Sequence, residues 1–202
     1  NAARLLDCGI SEVEISLDGI SPSESEEVRI NSNAYRIIEN VKNLITIRDN
    51  SNSDLKISVC TTQFLRSKHD LKDPEKLNAK VPSWLINEFS DSVYYKPGIA
   101  MRWPHMNVVD KYELVFEDGE DKGFCDHPVN TITVRSNGDI VPCCFDLTSQ
   151  LVMGNVMDDD LYSIFNGLKY RELRASIREK RYISSCKNCS TVRPNVYLIK
   201  PL

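Results

Sequence analysis

Cysteine placement constrains this chain more than any other feature. Of its seven cysteines, Cys8 and Cys60 stand alone in the first half, whereas Cys125, Cys143, Cys144, Cys186 and Cys189 crowd the second. An odd count in a chain with long helical stretches argues against a secreted disulfide framework. The closing Cys186-Lys-Asn-Cys189 has the spacing that lets two sulfurs face one metal. Asn137-Gly138, between short apolar runs, signals a two-residue hairpin turn. A hairpin there draws its flanking residues Cys125 and Cys143 toward each other. The expectation is a four-thiolate site of Cys125, Cys143, Cys186 and Cys189 in a reducing cytoplasm. Spacing alone leaves zinc and an iron–sulfur cluster both open. A single C-x-x-C beside a wide hairpin tilts the choice toward the larger cluster. Vicinal Cys143 and Cys144 do not bridge each other, because adjacent Cα atoms lack the required separation and orientation.

The first half alternates helix and strand. Val13, Ile15 and Leu17, then Leu55, Ile57 and Val59, then residues 91–98 mark three short strands. Ile37, Val41, Leu44 and Ile45 recur at helical spacing between the first two. This order predicts βα units and a parallel sheet, open or barrel-like. The texture changes after Gly98. Residues 1–105 read as one α/β domain, 106–122 as a linker, and 123–202 as a small α+β domain of hairpin plus helix. Within the last, 159–180 reads as one amphipathic helix and Gly154–Val156 as a turn. The segment 169–181 alternates basic and acidic residues, as the solvated face of a helix does.

A net charge of −4 gives no nucleic-acid-binding surface, and no apolar run reaches the ~20 residues of a membrane span. The opening helix lacks a preceding cap and an initiator methionine, so the chain is expected to be a C-terminal fragment.

The pattern C-x12-G-x4-C, from Cys125 through Gly138 to Cys143, resembles the start of the SPASM or twitch domain of radical SAM enzymes. The stretches "GDIVPCCFD", "MGNVMDDDLYSIFNG" and "CKNC" carry the resemblance further. In the first half, "LLDCGISEVEISLDG" and "VRINSNAYRIIENVKNLITIR" are similar to the central segment of the family's partial (β/α) TIM-like barrel. The resemblance implies one auxiliary [4Fe–4S] cluster, with Cys143 as a ligand. Cys144 then becomes a bystander, turned away as a small buried group or a donor near the sulfurs. No further cysteines follow Cys189, so the match is to the shorter, twitch-like form.

The family's C-x3-C-x2-C motif, for the cluster that cleaves S-adenosylmethionine, does not occur in these residues. The resemblance therefore implies a fragment that is inactive alone. In the full-length protein it implies S-adenosylmethionine, a second [4Fe–4S] cluster and a 5′-deoxyadenosyl radical. The implied partners are a peptide, protein or small-molecule substrate and an electron donor such as flavodoxin or ferredoxin. A structural zinc module that binds a partner is the alternative, and a degenerate, non-catalytic family member is another.

Ser16 and Asp18 end a strand, on the edge that faces the active site in barrel folds. Ser16 is the expected contact to the ribose or carboxylate of S-adenosylmethionine, and Arg29 the expected fork for its carboxylate. Thr61, Thr62 and Gln63 end the next strand and could line the same cavity. His127 is a candidate neighbour of Cys125. Cys8 and Cys60 read as core cysteines, and Trp84 and Trp103 as packing aromatics.

Overall fold

Three apolar segments separated by helices set up a parallel sheet, and the computed structural model contains it. Residues 2–102, 111–117, 123–187, 189–193 and 196–201 are described. The chain is mixed α/β and divides into two units, Asn1–Ala100 and Met101–Leu202.

In the first unit, β1 (Glu12–Ser16), β2 (Lys56–Gln63) and β3 (Tyr94–Ile99) pair in parallel in that order. Ser16 sits opposite Cys60, and Thr61 opposite Pro97. Proline is tolerated in β3 because that strand lies at an edge of the sheet. Among the described residues the strands are accompanied by the α-helices α1 (Ala2–Asp7), α2 (Pro22–Val28), α3 (Ala34–Asn50), α4 (Pro74–Leu77) and α5 (Ser83–Phe89) and by a 3-10 turn at Lys68–Lys72. Side chains alternate faces along a strand. Leu17, Ile57 and Val59, none of them exposed, therefore pack with Ile38, Val41 and Leu44 of α3 and Leu85 and Phe89 of α5.

The other face of the sheet is polar. Lys96 pairs with Glu12 at 2.8 Å and with Glu14, and the Ser58 hydroxyl donates to Glu12 at 2.5 Å. Lys96 above all holds the Glu12 carboxyl down at about 2. Helix α2 lies in a stretch for which the sequence pattern predicts no element. Ser21 caps it by accepting the Glu24 N–H at 3.2 Å, and Pro22 takes the first helical position, where its missing N–H costs nothing.

Among its described residues the second unit holds two small sheets. Strand β4 (Glu113–Phe116) pairs antiparallel with β8 (Val196–Ile199). The stretch 106–122, read as a linker, thus contains a paired strand, because its partner arrives from the far end of the chain. Its remaining residues, 106–110 and 118–122, lie outside the described residues. After α6 (His127–Asn130), β5 (Thr133–Val134) and β6 (Asp139–Val141) form the expected hairpin. Gly138 makes its turn with φ at +86°, and a Cβ there would stand 2.7 Å from Asn155 Oδ1.

Residues 154–156 are more than a turn: β7 (Gly154–Asn155) adds a third strand against β6. The single helix expected over 159–180 is two, α7 (Leu161–Phe165) and α8 (Leu168–Arg178). The chain bends at Asn166-Gly167, where a Cβ on Gly167 would meet the Ser163 carbonyl at 2.9 Å. Helix α8 buries Tyr170, Leu173 and Ile177 and leaves Arg171 and Glu172 exposed. A short α9 (Ser184–Lys187) ends the helical part. Among the described residues no helix is long and apolar enough to cross a membrane.

Candidate metal centre

Cys125, Cys143, Cys186 and Cys189 line one cavity of about 30 Å³ in the second unit. Each reaches it from a different position. Cys125 precedes α6, Cys143 follows β6, Cys186 lies in α9, and Cys189 lies just beyond it. The C-x-x-C is folded by two backbone bonds. Cys186 N–H donates to the Ile183 carbonyl at 3.0 Å, and Cys189 N–H to the Cys186 carbonyl at 3.2 Å. Leu173, Ile177 and Val192 supply apolar walls. Among the described residues no three His, Cys, Asp or Glu side chains are gathered at the spacing of a single-ion site.

Electrostatics ties the four thiols together. Burial pushes Cys186 up to about 12, and the charges of Cys189, Cys143 and Cys125 push the same way. Burial likewise lifts Cys125 to about 11, with Cys189 and Cys143 adding to it. Cys143 is raised by burial first and by Cys189 next. Burial and mutual repulsion thus disfavour the thiolates of Cys125, Cys143 and Cys186, and a cation among them would favour ionisation.

The backbone already prepares for those charges. His127 N–H donates to the Cys125 sulfur, and the Phe145 and Asp146 N–H groups donate to the Cys143 sulfur. The turn after Cys143 is held from beneath by Asp146, which is fully buried. Its carboxylate accepts the Gln150 and Leu151 N–H groups at 3.0 and 2.9 Å, and its carbonyl accepts a bond from Arg135. The imidazole of His127 lines the cavity, edge-on to the Phe145 ring at 5.0 Å.

Cys144 is exposed, not buried as strand alternation suggested. The strand ends at Val141, and Cys144 rides on a turn closed by Asp146 N–H to the Cys143 carbonyl at 3.2 Å. Nor are Cys8 and Cys60 core residues. Cys8 is exposed in the turn after α1, and Cys60 is half-buried in β2 with its thiol raised by burial.

In the first unit, Asp18 is 3 % exposed and both its carboxylate oxygens are used. One accepts the Thr62 N–H at 2.8 Å and the other the Arg29 Nε–H at 2.7 Å. Arg29 therefore meets Asp18 rather than standing free, with its side chain 44 % exposed. Ser16 ends β1 on the face that carries Glu12 and Glu14. Thr61 is buried, and its hydroxyl accepts from Gln63 Nε2 at 2.8 Å. Trp84 is partly buried, with Nε1–H donating to the Gly19 carbonyl at 3.2 Å. Trp103 lies outside the described residues. Sequence reasoning missed the Glu12–Lys96 network, which charge at alternate positions of β1 could have signalled. It also missed Asp146, which carries no local pattern.

Comparison with known proteins decides what the cysteine unit is. Residues 125–190 match the model of SPASM, an iron–sulfur cluster-binding domain. The match begins at Cys125 and takes in the other three cavity cysteines. Residues 125–190 are a SPASM-type iron–sulfur cluster-binding domain.

One relative of the SPASM-bearing chain is the S-adenosyl-L-methionine-dependent 2-deoxy-scyllo-inosamine dehydrogenase of Niallia circulans. It is 31% identical over 70 residues, 34% of this chain and 28% of that enzyme. The chain thus matches about a quarter of that relative's length. The crystal structure of BtrN in complex with AdoMet and 2-DOIA aligns at a TM-score of 0.38 and 18% identity, over 76% of this chain and 67% of that one. BtrN in an open conformation aligns at 0.33 and 15%, over 78% and 67%. These two overlaps are loose. The SPASM domain binds an iron–sulfur cluster, and the residues fit one: four thiols share a single desolvated cavity, with backbone N–H donors already on two of the sulfurs.

Proposed function

We propose that this chain is the C-terminal part of a radical S-adenosylmethionine enzyme, and that Cys125, Cys143, Cys186 and Cys189 hold one auxiliary [4Fe–4S] cluster. The observation that carries this reading is the convergence of these four thiols, from four separate positions, on one cavity inside the SPASM match. When bound, the cluster supplies one-electron chemistry, accepting an electron from a substrate radical or shaping the substrate's pocket.

The protein's own residues do the rest. The N–H groups of His127, Phe145 and Asp146 stabilise thiolate charge at Cys125 and Cys143, and Asp146 fixes the turn that presents Cys143. The apolar walls exclude water. The first unit is read as part of a partial (β/α) barrel with S-adenosylmethionine at the ends of its strands. There Ser16 offers the hydroxyl. Asp18 acts by holding Arg29 and the Thr62 backbone in place, leaving the outer guanidinium nitrogens for a carboxylate.

The dehydrogenase relative favours a small-molecule substrate over a peptide. A flavodoxin- or ferredoxin-type donor and a cytoplasmic setting complete the proposal. Without a C-x3-C-x2-C motif the chain is inactive alone.

Anaerobic reconstitution followed by iron, sulfide and zinc analysis tests the reading. About four irons and four sulfides per chain, with visible charge-transfer absorbance, is the expected result. One zinc per chain with no iron would overturn it in favour of a structural zinc module.

A further inference from the structure

The basic stretch 169–181 reads from sequence as a solvated helix face, but two of its arginines border a cavity. Arg174 and Arg178 of α8 line a space of about 260 Å³ in the second unit, with the exposed side chains of Phe124 and Val129 also in its walls. No Asp or Glu is among its described lining residues. Cys125, Pro128 and Ile177 line both this cavity and the four-cysteine cavity, so the two are neighbours.

Neither arginine is neutralised there. The Arg174 Nε–H donates to the Pro128 carbonyl at 2.7 Å, which ties its guanidinium to a residue of the cavity wall. The same cation stands 4.3 Å from the Phe165 ring centre, and its Nη2 is buried with no hydrogen-bond partner. Arg178 follows one turn later. It is exposed, and its side chain enters no hydrogen bond or ion pair among the described residues. Like charges four residues apart on a helix repel. The negative end of the helix dipole accounts for Arg178 in the last turn, but Arg174 lies a turn earlier, where that effect has faded. Lys180 adds positive charge at the rim, since a Cβ on Gly123, in the cavity wall, would stand 3.3 Å from its Cε.

We propose that this cavity is an oxyanion subsite, which takes one carboxylate or phosphate group between Arg174 and Arg178. The planar guanidinium fork matches both groups and stays charged when buried. An anion there offsets the positive charge that the two arginines share, and Phe124 and Val129 offer apolar contact to the carbon skeleton that carries it. The group can arrive on a small molecule or on an acidic side chain of a one-electron carrier. The inference does not depend on which metal the four cysteines hold.

The test uses the full chain with its cysteine site loaded. Inorganic phosphate and acetate are titrated in by calorimetry at constant ionic strength. Saturable binding of about one phosphate per chain is the expected result. Arg178→Gln should weaken it by about tenfold, the loss of one charge-assisted bond. Arg174→Lys, which keeps the charge and loses the fork, should weaken it too, and Lys169→Gln, outside the cavity lining, should match the parent. Absence of saturable binding by either anion overturns the proposal, and so does equal binding by the parent and Arg178→Gln. If Arg174→Lys does not fold, Arg178→Gln decides alone. The source of the group is read with iron loaded, from the rate at which reduced flavodoxin reduces the chain. Slowing by saturating phosphate assigns the cavity to the carrier's carboxylates, and an unchanged rate assigns it to a small molecule; both uphold the anion site. A chain that takes zinc and no iron would overturn the cluster reading and leave this inference standing.

Discussion

The two units reach stability by different routes. The first is built around one continuous apolar core, in which Leu17, Ala34, Ile57, Val59 and Leu85 have no exposed surface. Its buried charges are partnered: Asp18 with Arg29, and Glu24 with Arg66 at 2.6 Å. The second has smaller clusters. One is Ile140, Ile164 and Tyr170, and another is Leu173, Ile177 and Val192 with Cys189 as a full member. Its four clustered thiols line a single cavity. One unit is packed by its own side chains, whereas the other gathers four thiols around a cavity. Burial of apolar surface can hold a fold alone, but a small domain with little core relies on a metal.

The sharpest break of this contrast removes a ligand. Cys186→Ala should abolish most iron uptake and strip amide protection from the residues after Gly123, while the sheet of the first unit stays protected. Hydrogen exchange read by mass spectrometry checks this, and uniform loss across both units would erase the distinction. Cys143→Ser should lose iron in the same way, and Cys144→Ser should retain it, since Cys144 lies outside the cavity.

The converse change acts on the first unit. Ile57→Ala opens a cavity at a site with no exposed surface and should cost about 2–5 kcal/mol. Chemical denaturation should show the loss, and iron content should not change.

A smaller effect is expected from Asp146→Ala. It orphans the Gln150 and Leu151 N–H groups, at about 1–3 kcal/mol each, and loosens the turn that carries Cys143. Faster iron release to a chelator, with the first unit untouched, is the signature.

Least in size is a pH effect confined to the metal-free chain. Cys125 and Cys186 hold their protons more tightly when folded than the ordinary thiol value of 9.0. The folded state therefore binds more protons than the unfolded state above about pH 9. Stability from these groups is fully present below that and falls as pH rises toward their folded values of about 11 and 12. Thermal melts of the metal-free chain should drop across this window. The loaded chain, with its thiolates already bound, should lack that drop.

The sequence makes the site more legible than its frame. Four cysteines keep their meaning at a distance because metal geometry dictates their spacing, and Gly138 marks the turn between two of them. The alternation of the first half is equally plain, since β1, β2 and α3 carry their apolar residues at the periods of strand and helix. Helix α2 escaped because 23–27 is polar throughout and offers no apolar period. Its signal was the cap itself, Ser21-Pro22 with Glu24 behind it. The pairing of β4 with β8 leaves no local trace, because each strand is only four residues long and the partners lie about eighty positions apart.

That pairing of β4 with β8 has a consequence for portability. Glu113 lies opposite Ile199, so the chain arrives at the cysteine unit and leaves it at neighbouring points. A module whose two ends meet can be spliced into a host loop without stretching the host. The ligand-bearing segments lie between these ends, so they would travel as one cassette. Grafted across a surface turn of an unrelated scaffold, it would need only its short ribbon to register itself.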